Sequence, residues 1–223
     1  MHKKICIAID GPAAAGKSTI AKKLAEKLNY IYIDTGALYR AVTYAALQNK
    51  TNISDEKAVF EILRGSKLEL KHVDGIQKIY LNGKDISTEI RTREVTNEVS
   101  KVSSYLSIRE NLVSWQQELG KNGGVVMDGR DIGSTVLPFA EVKIFMVASV
   151  QERARRRHLE NLEKGFPSNM KEIIKEIEER DLLDSTREHS PLRQCPDSVK
   201  VDTTGKTQDE VLQEIYQIVT SKF

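Results

Sequence analysis

Gly11-Pro12-Ala13-Ala14-Ala15-Gly16-Lys17-Ser18-Thr19 decides the reading of this chain. An apolar run, Ile5-Cys6-Ile7-Ala8-Ile9, precedes it, and a helical pattern from Ile20 to Leu28 follows. Strand, then G-x-x-x-x-G-K-[ST], then helix is the phosphate-binding P-loop in the context it requires. Gly11 and Gly16 permit backbone turns that a side chain would obstruct. Successive N–H groups then form an anion nest, and the helix behind them adds the positive end of its dipole. Lys17 is expected to reach the β- and γ-phosphates of a triphosphate, and the Ser18 hydroxyl to ligate Mg²⁺. The competing reading is a chance match in an ordinary strand–loop–helix, and both flanks weaken it.

The chain has 223 residues, 39% apolar and 30% charged, the balance of a soluble globular protein. At this length about 70% of the unfolded surface can be buried, so no staple is needed. No apolar run approaches the roughly 18 residues of a membrane-spanning helix. Met1-His2-Lys3-Lys4 runs straight into a short strand with no signal-peptide core, which predicts a cytoplasmic protein. Cys6 and Cys195 belong to no C-x-x-C pair, and the four histidines show no ligand spacing, so zinc and redox chemistry are not indicated. A net charge of +2 is too small to argue for nucleic acid.

Outward from the P-loop, strands alternate with helices. Lys4 to Asp10 is continuously apolar, as in a strand buried on both faces of a parallel sheet. A helix over Lys17–Leu28, a strand over Tyr30–Ile33 and a helix over Ala37–Gln48 capped by Thr35 are expected. A helix over Asp55–Arg64 is expected to take Ser54 as its cap. The texture then changes to short strands, Lys67–Lys71 and Lys78–Leu81, with hairpin dipeptides at Asp74-Gly75 and Asn82-Gly83. Helices over Arg93–Ser103 and Ser107–Lys121 follow, the second with a Ser107/Glu110 capping box. The parallel pattern resumes with strands at Gly124–Asp128 and Glu141–Ala148. A helix capped by Ser149 ends near Lys164, before Gly165-Phe166-Pro167. Asn169 with Glu172 opens the next, Val199–Asp202 is a last strand, and Thr207 with Glu210 caps a final helix. This alternation implies a three-layer α/β core around a parallel sheet, with ligands at the carboxyl ends of the strands.

Candidate groups cluster at those ends. Asp34 to Arg40 places a helix N-terminus and an arginine past one strand. Asp128-Gly129-Arg130-Asp131 places three charges past another. Arg153 and Arg157 share a helix face beside a Gly-Phe-Pro loop that could hinge, which suits a lid over phosphates. The stretch from Gln151 to Arg193 carries ten basic and ten acidic residues, so a basic nucleic-acid patch does not follow. Arg180, Asp184 and Arg187 fall on one helical stripe, which an exposed ion pair would also explain. A P-loop with several arginines and few candidate bases points to phosphoryl transfer, in which the protein positions and neutralises dispersed negative charge. The guanine-specific N-K-x-D motif is absent: Asn82-Gly83-Lys84-Asp85 has another order.

The P-loop, Ile33-Asp34-Thr35-Gly36-Ala37-Leu38-Tyr39-Arg40, Ile90-Arg91-Thr92, Asp128-Gly129-Arg130-Asp131-Ile132-Gly133, Lys164-Gly165-Phe166 and Glu179-Arg180-Asp181 together resemble the bacterial cytidylate kinases, in order and over nearly the whole chain. The resemblance implies a P-loop NTPase core of residues 1–63 and 105–223, a lid at about 153–168, and a nucleoside-monophosphate-binding insert at 64–104. It implies transfer of the ATP γ-phosphoryl group to CMP or dCMP, with Mg²⁺. By the same resemblance Thr35, Arg40, Arg130 and Arg187 hold the CMP phosphate, and Ser100, Arg109 and Asp131 read cytosine. Arg180 and Asp184 contact the ribose, and Lys17, Arg130, Arg153 and Arg157 serve catalysis. Ala13 departs from relatives with serine there, and Thr35 stands where some have serine. The expected partners are ATP and CMP or dCMP, with no nucleic acid or membrane, and a monomer is expected. Two rivals remain: a P-loop kinase for UMP or another metabolite, and a nucleotide-gated switch with no acceptor.

Overall fold

The computed structural model describes residues 4–73, 75–163 and 165–222. Asp74 of the expected turn, Lys164 of the expected helix end and the first three residues lie outside the described residues. The chain forms two compact units, Met1–Tyr32 with Gly120–Phe223, and Ile33–Leu119. The predicted insert at 64–104 falls inside the second.

In the first unit, β1 (Cys6–Asp10) is buried at all five positions, as its unbroken apolar run requires. It pairs in parallel with β6 (Val125–Gly129) on one side and β7 (Val142–Val147) on the other. β8 (Val199–Asp202) adds to β7, also in parallel, and β2 (Ile31–Asp34) takes the far edge, giving the order β2-β6-β1-β7-β8. The chain leaves the unit within β2.

Helix α1 (Lys17–Leu28) buries Ile20, Ala21, Leu24 and Ala25, the three-and-four spacing of one helix face. That face packs on Ile7, Ile9, Val126 and Ile144 of the sheet. Val211, Ile215 and Val219 of α8 (Gln208–Thr220) join the same core. Each fully buried aliphatic contributes about 1.5–3 kcal/mol. α8 opens with the expected capping box: Glu210 N–H donates to Thr207 Oγ1 at 3.3 Å, and Thr207 N–H donates to Glu210 Oε2 at 2.8 Å. Helices α6 (Val150–Glu163) and α7 (Met170–Thr186) pack through Ala154, Ile173 and Ile177. Ser149 caps the first and Asn169 the second, as predicted.

The second unit holds α2 (Gly36–Gln48), α3 (Glu56–Arg64), α4 (Arg93–Val102), α5 (Leu106–Gly120, whose last residue belongs to the first unit) and an antiparallel sheet of β3 (Leu68–Val73), β4 (Ile76–Leu81) and β5 (Lys84–Asp85). Asn82 and Gly83 both have positive φ, 51° and 85°, as a tight hairpin turn between β4 and β5 demands. Leu38, Val42, Ile79, Ile86, Ile90, Val99 and Ile108 fill one core.

Three expected caps differ. Thr35 makes no side-chain cap bond; Asp34 Oδ1 accepts from Ala37 N–H at 3.1 Å instead. Asp55, not Ser54, caps α3, accepting from Ala58 N–H at 3.1 Å. Ser107 already lies inside α5, and its N–H and hydroxyl both donate to Glu56 Oε1. In each case a carboxylate takes the amide or hydroxyl, consistent with the stronger bond that an ionised acceptor makes.

The cap assignment is testable. Asp55→Ala is expected to lower stability by about 1 kcal/mol, whereas Ser54→Ala, which removes only an exposed contact to Lys101, should change it far less. Urea unfolding of the two variants checks this; a larger loss for Ser54→Ala contradicts it.

Candidate functional site

The P-loop joins β1 to α1 in the first unit. Gly11 has φ 149°, and a Cβ there would lie 2.1 Å from the Met146 carbonyl oxygen, so this turn excludes a side chain. Gly16, at the head of α1, is left-handed with φ 86°. Lys17 is only 5% exposed, and its Nζ donates to Pro12 O at 2.7 Å. Burial holds its pKa well below that of an ordinary lysine, and the positive charge of Arg130 adds to the depression while Asp128 opposes it. A buried ammonium beside another cation is a group that an arriving anion stabilises.

Ser18 Oγ donates to Asp128 Oδ2 at 2.8 Å, and Tyr32 OH donates to Asp128 Oδ1 at 2.9 Å. A hydroxyl and a carboxylate are the hard oxygen donors that Mg²⁺ takes when nucleotide phosphates complete its shell. The residues present therefore fit that ion.

Past β6, Asp10 organises the D-G-R-D segment. Its Oδ1 accepts from Ile132 N–H and its Oδ2 from Gly133 N–H, each at 2.8 Å. The two amides open a single π-helical turn, Ile132–Val136. The two charged residues just before it then pair with α7 and its end. Arg130 Nε donates to Asp184 Oδ2 at 2.8 Å, and Arg187 Nη2 donates to Asp131 Oδ1 at 3.3 Å. Arg180 Nε lies 3.9 Å from the same Asp184 oxygen. Burial works against both charges of the Arg130–Asp184 pair. The Asp184 charge nonetheless raises the Arg130 pKa, and the Arg130 and Arg180 charges lower that of Asp184. The structure thus brings together Arg130, Asp131, Arg180, Asp184 and Arg187.

On α6, Arg153 is buried and bound to Ala148 O, Ala13 O and Asp181. Arg157 is half-buried and makes no hydrogen bond or ion pair among the described residues. Sequence reasoning passed over three groups here. Arg156 donates to Thr203 O at 2.6 Å and lies 3.5 Å from Ala15 O of the P-loop. Asp181 accepts from the P-loop amide of Ala13 at 3.1 Å. Asp10 is the third; its place at the end of β1 was the available signal.

The second unit holds the other candidates. Thr35 is buried at the head of α2. Arg40 Nη1 donates to Thr96 Oγ1 at 2.9 Å. Arg109 Nη1 donates to Ser103 O at 3.0 Å, and its guanidinium sits 5.6 Å from the Tyr39 ring centre. Ser100 is 6% exposed, and its hydroxyl has no hydrogen-bond partner. A buried hydroxyl without a partner is uncommon, and a ligand is one explanation. Asp34, also in this unit, pairs with Arg91.

A parallel sheet whose central strand turns through an anion nest into a helix, with a buried lysine behind it, defines a P-loop protein of the nucleotide-dependent phosphotransferase class. The family model described as "Cytidylate kinase" matches residues 7–221. This chain belongs to the cytidylate kinase family. The cytidylate kinase of Bacillus cereus (strain ATCC 10987 / NRS 248) is 56% identical over 223 residues, covering 100% of this chain and 99% of the relative. That of Bacillus anthracis (strain CDC 684 / NRRL 3495) matches at the same identity and coverage. Among solved structures, an uncharacterized protein from Eubacterium ventriosum ATCC 27560 superposes with a TM-score of 0.54 at 13% identity, covering 98% of this chain and 99% of that one, a likeness of fold alone.

Asp10 makes a pH dependence measurable. Burial raises its pKa from 3.8 to about 6; Asp131 adds to the rise, and the two backbone amides and Lys17 oppose it. Between these values the unfolded chain has lost this proton and the folded chain keeps it. Its contribution to stability is whole below pH 3.8 and is lost as the pH rises through about 6. The loss is on the order of 3 kcal/mol. Urea unfolding from pH 4 to 7 should show wild type losing ground to Asp10→Asn by up to that amount. A gap independent of pH contradicts it.

Proposed function

We propose that this chain transfers the γ-phosphoryl group of ATP to CMP or dCMP, giving ADP and the nucleoside diphosphate, with Mg²⁺ as the metal of the reaction. Family membership over the full length supports the reaction. The observation that carries the mechanism is Lys17, buried beside the P-loop with its charge penalised by burial and by Arg130. Such a group gains most from the charge that develops as the γ-phosphoryl group leaves the β-phosphate. Ser18 and Asp128 would hold Mg²⁺, which would supply positive charge to neutralise the donor phosphates.

The acceptor roles rest on chemistry and resemblance. Arg130 and Arg187 are the guanidiniums we assign to the CMP phosphate, with Thr35 and Arg40. Asp131, Ser100 and Arg109 are assigned to cytosine, and Arg180 and Asp184 to the ribose. The unpartnered Ser100 hydroxyl supports its role. Arg157, with no hydrogen bond or ion pair among the described residues, suits a lid group that meets phosphate on closure. A cytoplasmic monomer acting on small nucleotides accords with this reading, and no helix of the described residues is long and apolar enough to cross a membrane.

A coupled ADP-release assay over a panel of monophosphates tests the activity. ADP formation that depends on CMP or dCMP supports it; turnover with UMP alone, or no acceptor dependence, favours a rival. Lys17→Ala is expected to lower kcat by roughly 10²-fold or more, and near-wild-type turnover would sink the mechanism.

Discrimination of cytosine from uracil gives a sharper test. Cytosine offers an amino donor where uracil offers a carbonyl acceptor, and a carboxylate accepts only from the first. Facing uracil, Asp131 would stay buried against a lone pair, the costly case. Asp131→Ala should cut kcat/KM for CMP far more than for UMP and narrow their ratio by at least about tenfold. If Asp131 serves only to fix Arg187, 3.3 Å away, both substrates lose equally and the ratio does not move.

A further inference from the structure

Asp181 belongs to the Glu179-Arg180-Asp181 segment, yet neither the reaction nor the resemblance gives it a task. Its position supplies one. Ala13 N–H donates to Asp181 Oδ1 at 3.1 Å. Ala13 O accepts from Arg153 Nη1 at 3.0 Å. The same Nη1 pairs with Asp181 Oδ2, which closes a ring through the backbone of one residue. Arg153 is anchored from behind, its Nε donating to Ala148 O at 3.0 Å where β7 passes into α6. Arg153 as a whole is 4% exposed. One residue on, Ala14 is left-handed with φ 59°, and its methyl group packs against the Ala154, Ile173 and Ile177 cluster of α6 and α7.

We propose that Arg153 and Asp181 are a positioning pair that clamps the two peptide groups flanking the Ala13 Cα and so sets the orientation of the P-loop amides that follow. This rests on the reading of the P-loop as the ATP site, and it removes Arg153 from direct contact with the nucleotide. With the N–H of the peptide before the Ala13 Cα and the C=O of the peptide after it both held, neither plane can turn freely about that Cα, and the Ala14 amide lies in the second plane. Pairing also resolves an electrostatic conflict. A lone carboxylate on an anion-binding loop would repel phosphate, and the Arg153 charge cancels it. The two residues come from α6, which carries most of the expected lid at about 153–168, and from α7, which follows it, so the clamp also ties the base of that hairpin to the P-loop.

The pair acts as a unit, and a double-mutant cycle separates this role from direct contact. Arg153→Met is expected to raise the KM for ATP about tenfold while leaving the KM for CMP within about threefold. In an Asp181→Asn background, which preserves side-chain volume and an acceptor for Ala13, the same replacement should change the KM for ATP by less than about threefold. An equal factor in both backgrounds means that Arg153 binds the nucleotide directly, and the proposal fails. A second readout needs no turnover. In the nucleotide-free protein, exchange of the Ala13 amide followed by NMR should accelerate at least about tenfold in Asp181→Ala, while β1 amides keep their protection. Unchanged Ala13 exchange overturns the clamp whatever the enzyme phosphorylates. Loss of β1 protection as well, with Asp181→Asn exchanging Ala13 at the wild-type rate, would mark a general structural role and equally overturn it.

Discussion

Charge is buried at the carboxyl ends of this sheet, and that constraint shapes the unit around it. Asp10, Lys17, Asp128, Asp131, Asp184 and Arg187 are buried, and the Arg130 side chain is only 18% exposed. Each would cost several kcal/mol if left alone. The chain answers by sharing partners. Asp184 serves Arg130 and Arg180, Asp128 takes both the Ser18 and Tyr32 hydroxyls, and Asp10 takes two successive amides. The apolar strands and α1 below supply the burial that holds these groups at low dielectric. There an electrostatic interaction with a phosphate counts for far more than it would in water.

The periodic parts of the fold were legible from sequence because one local rule governs them. α1 begins and ends where its pattern and the P-loop place it, and β8 matches its expected bounds. The caps of α2 and α3 were misread because two candidate cap residues stand side by side. Asp34-Thr35 and Ser54-Asp55 each offer two acceptors, and the exact path of the chain chooses between them. The π-helical turn after Asp131 was not legible at all. It depends on a carboxylate 122 residues away along the chain, and no local propensity encodes that.

The site divides in the same way. Asp128-Gly129-Arg130-Asp131 could be singled out because charge at the end of a buried strand is conspicuous. The partners of its charges could not be read, since Arg130 and Arg187 reach theirs across 54 and 56 residues. Asp181 and Arg156 lay on helices dense in charge, where a solvated face is the ordinary expectation. Their contacts to Ala13 and Ala15 reveal them as part of the P-loop's support.

Arginine rather than lysine at Arg130 and Arg180 follows from the carboxylate they share, that of Asp184. A guanidinium carries five N–H donors in a planar fork and keeps its charge when buried. Arg130 spends Nε on Asp184 and Nη1 on Gly129 O, so part of its donor set is held by protein and its charge is not consumed. Asp184 Oδ2 is 2.8 Å from one arginine and 3.9 Å from another, and one carboxylate divided between two cations neutralises neither completely. A lysine in either place would offer a single point of contact, and burial would lower its pKa as it lowers that of Lys17. The arrangement therefore meets two opposed demands with the same residues. It places a carboxylate beside the buried arginines and, on the function proposed above, leaves positive charge fixed in direction for a phosphate, so that little reorganisation would be needed.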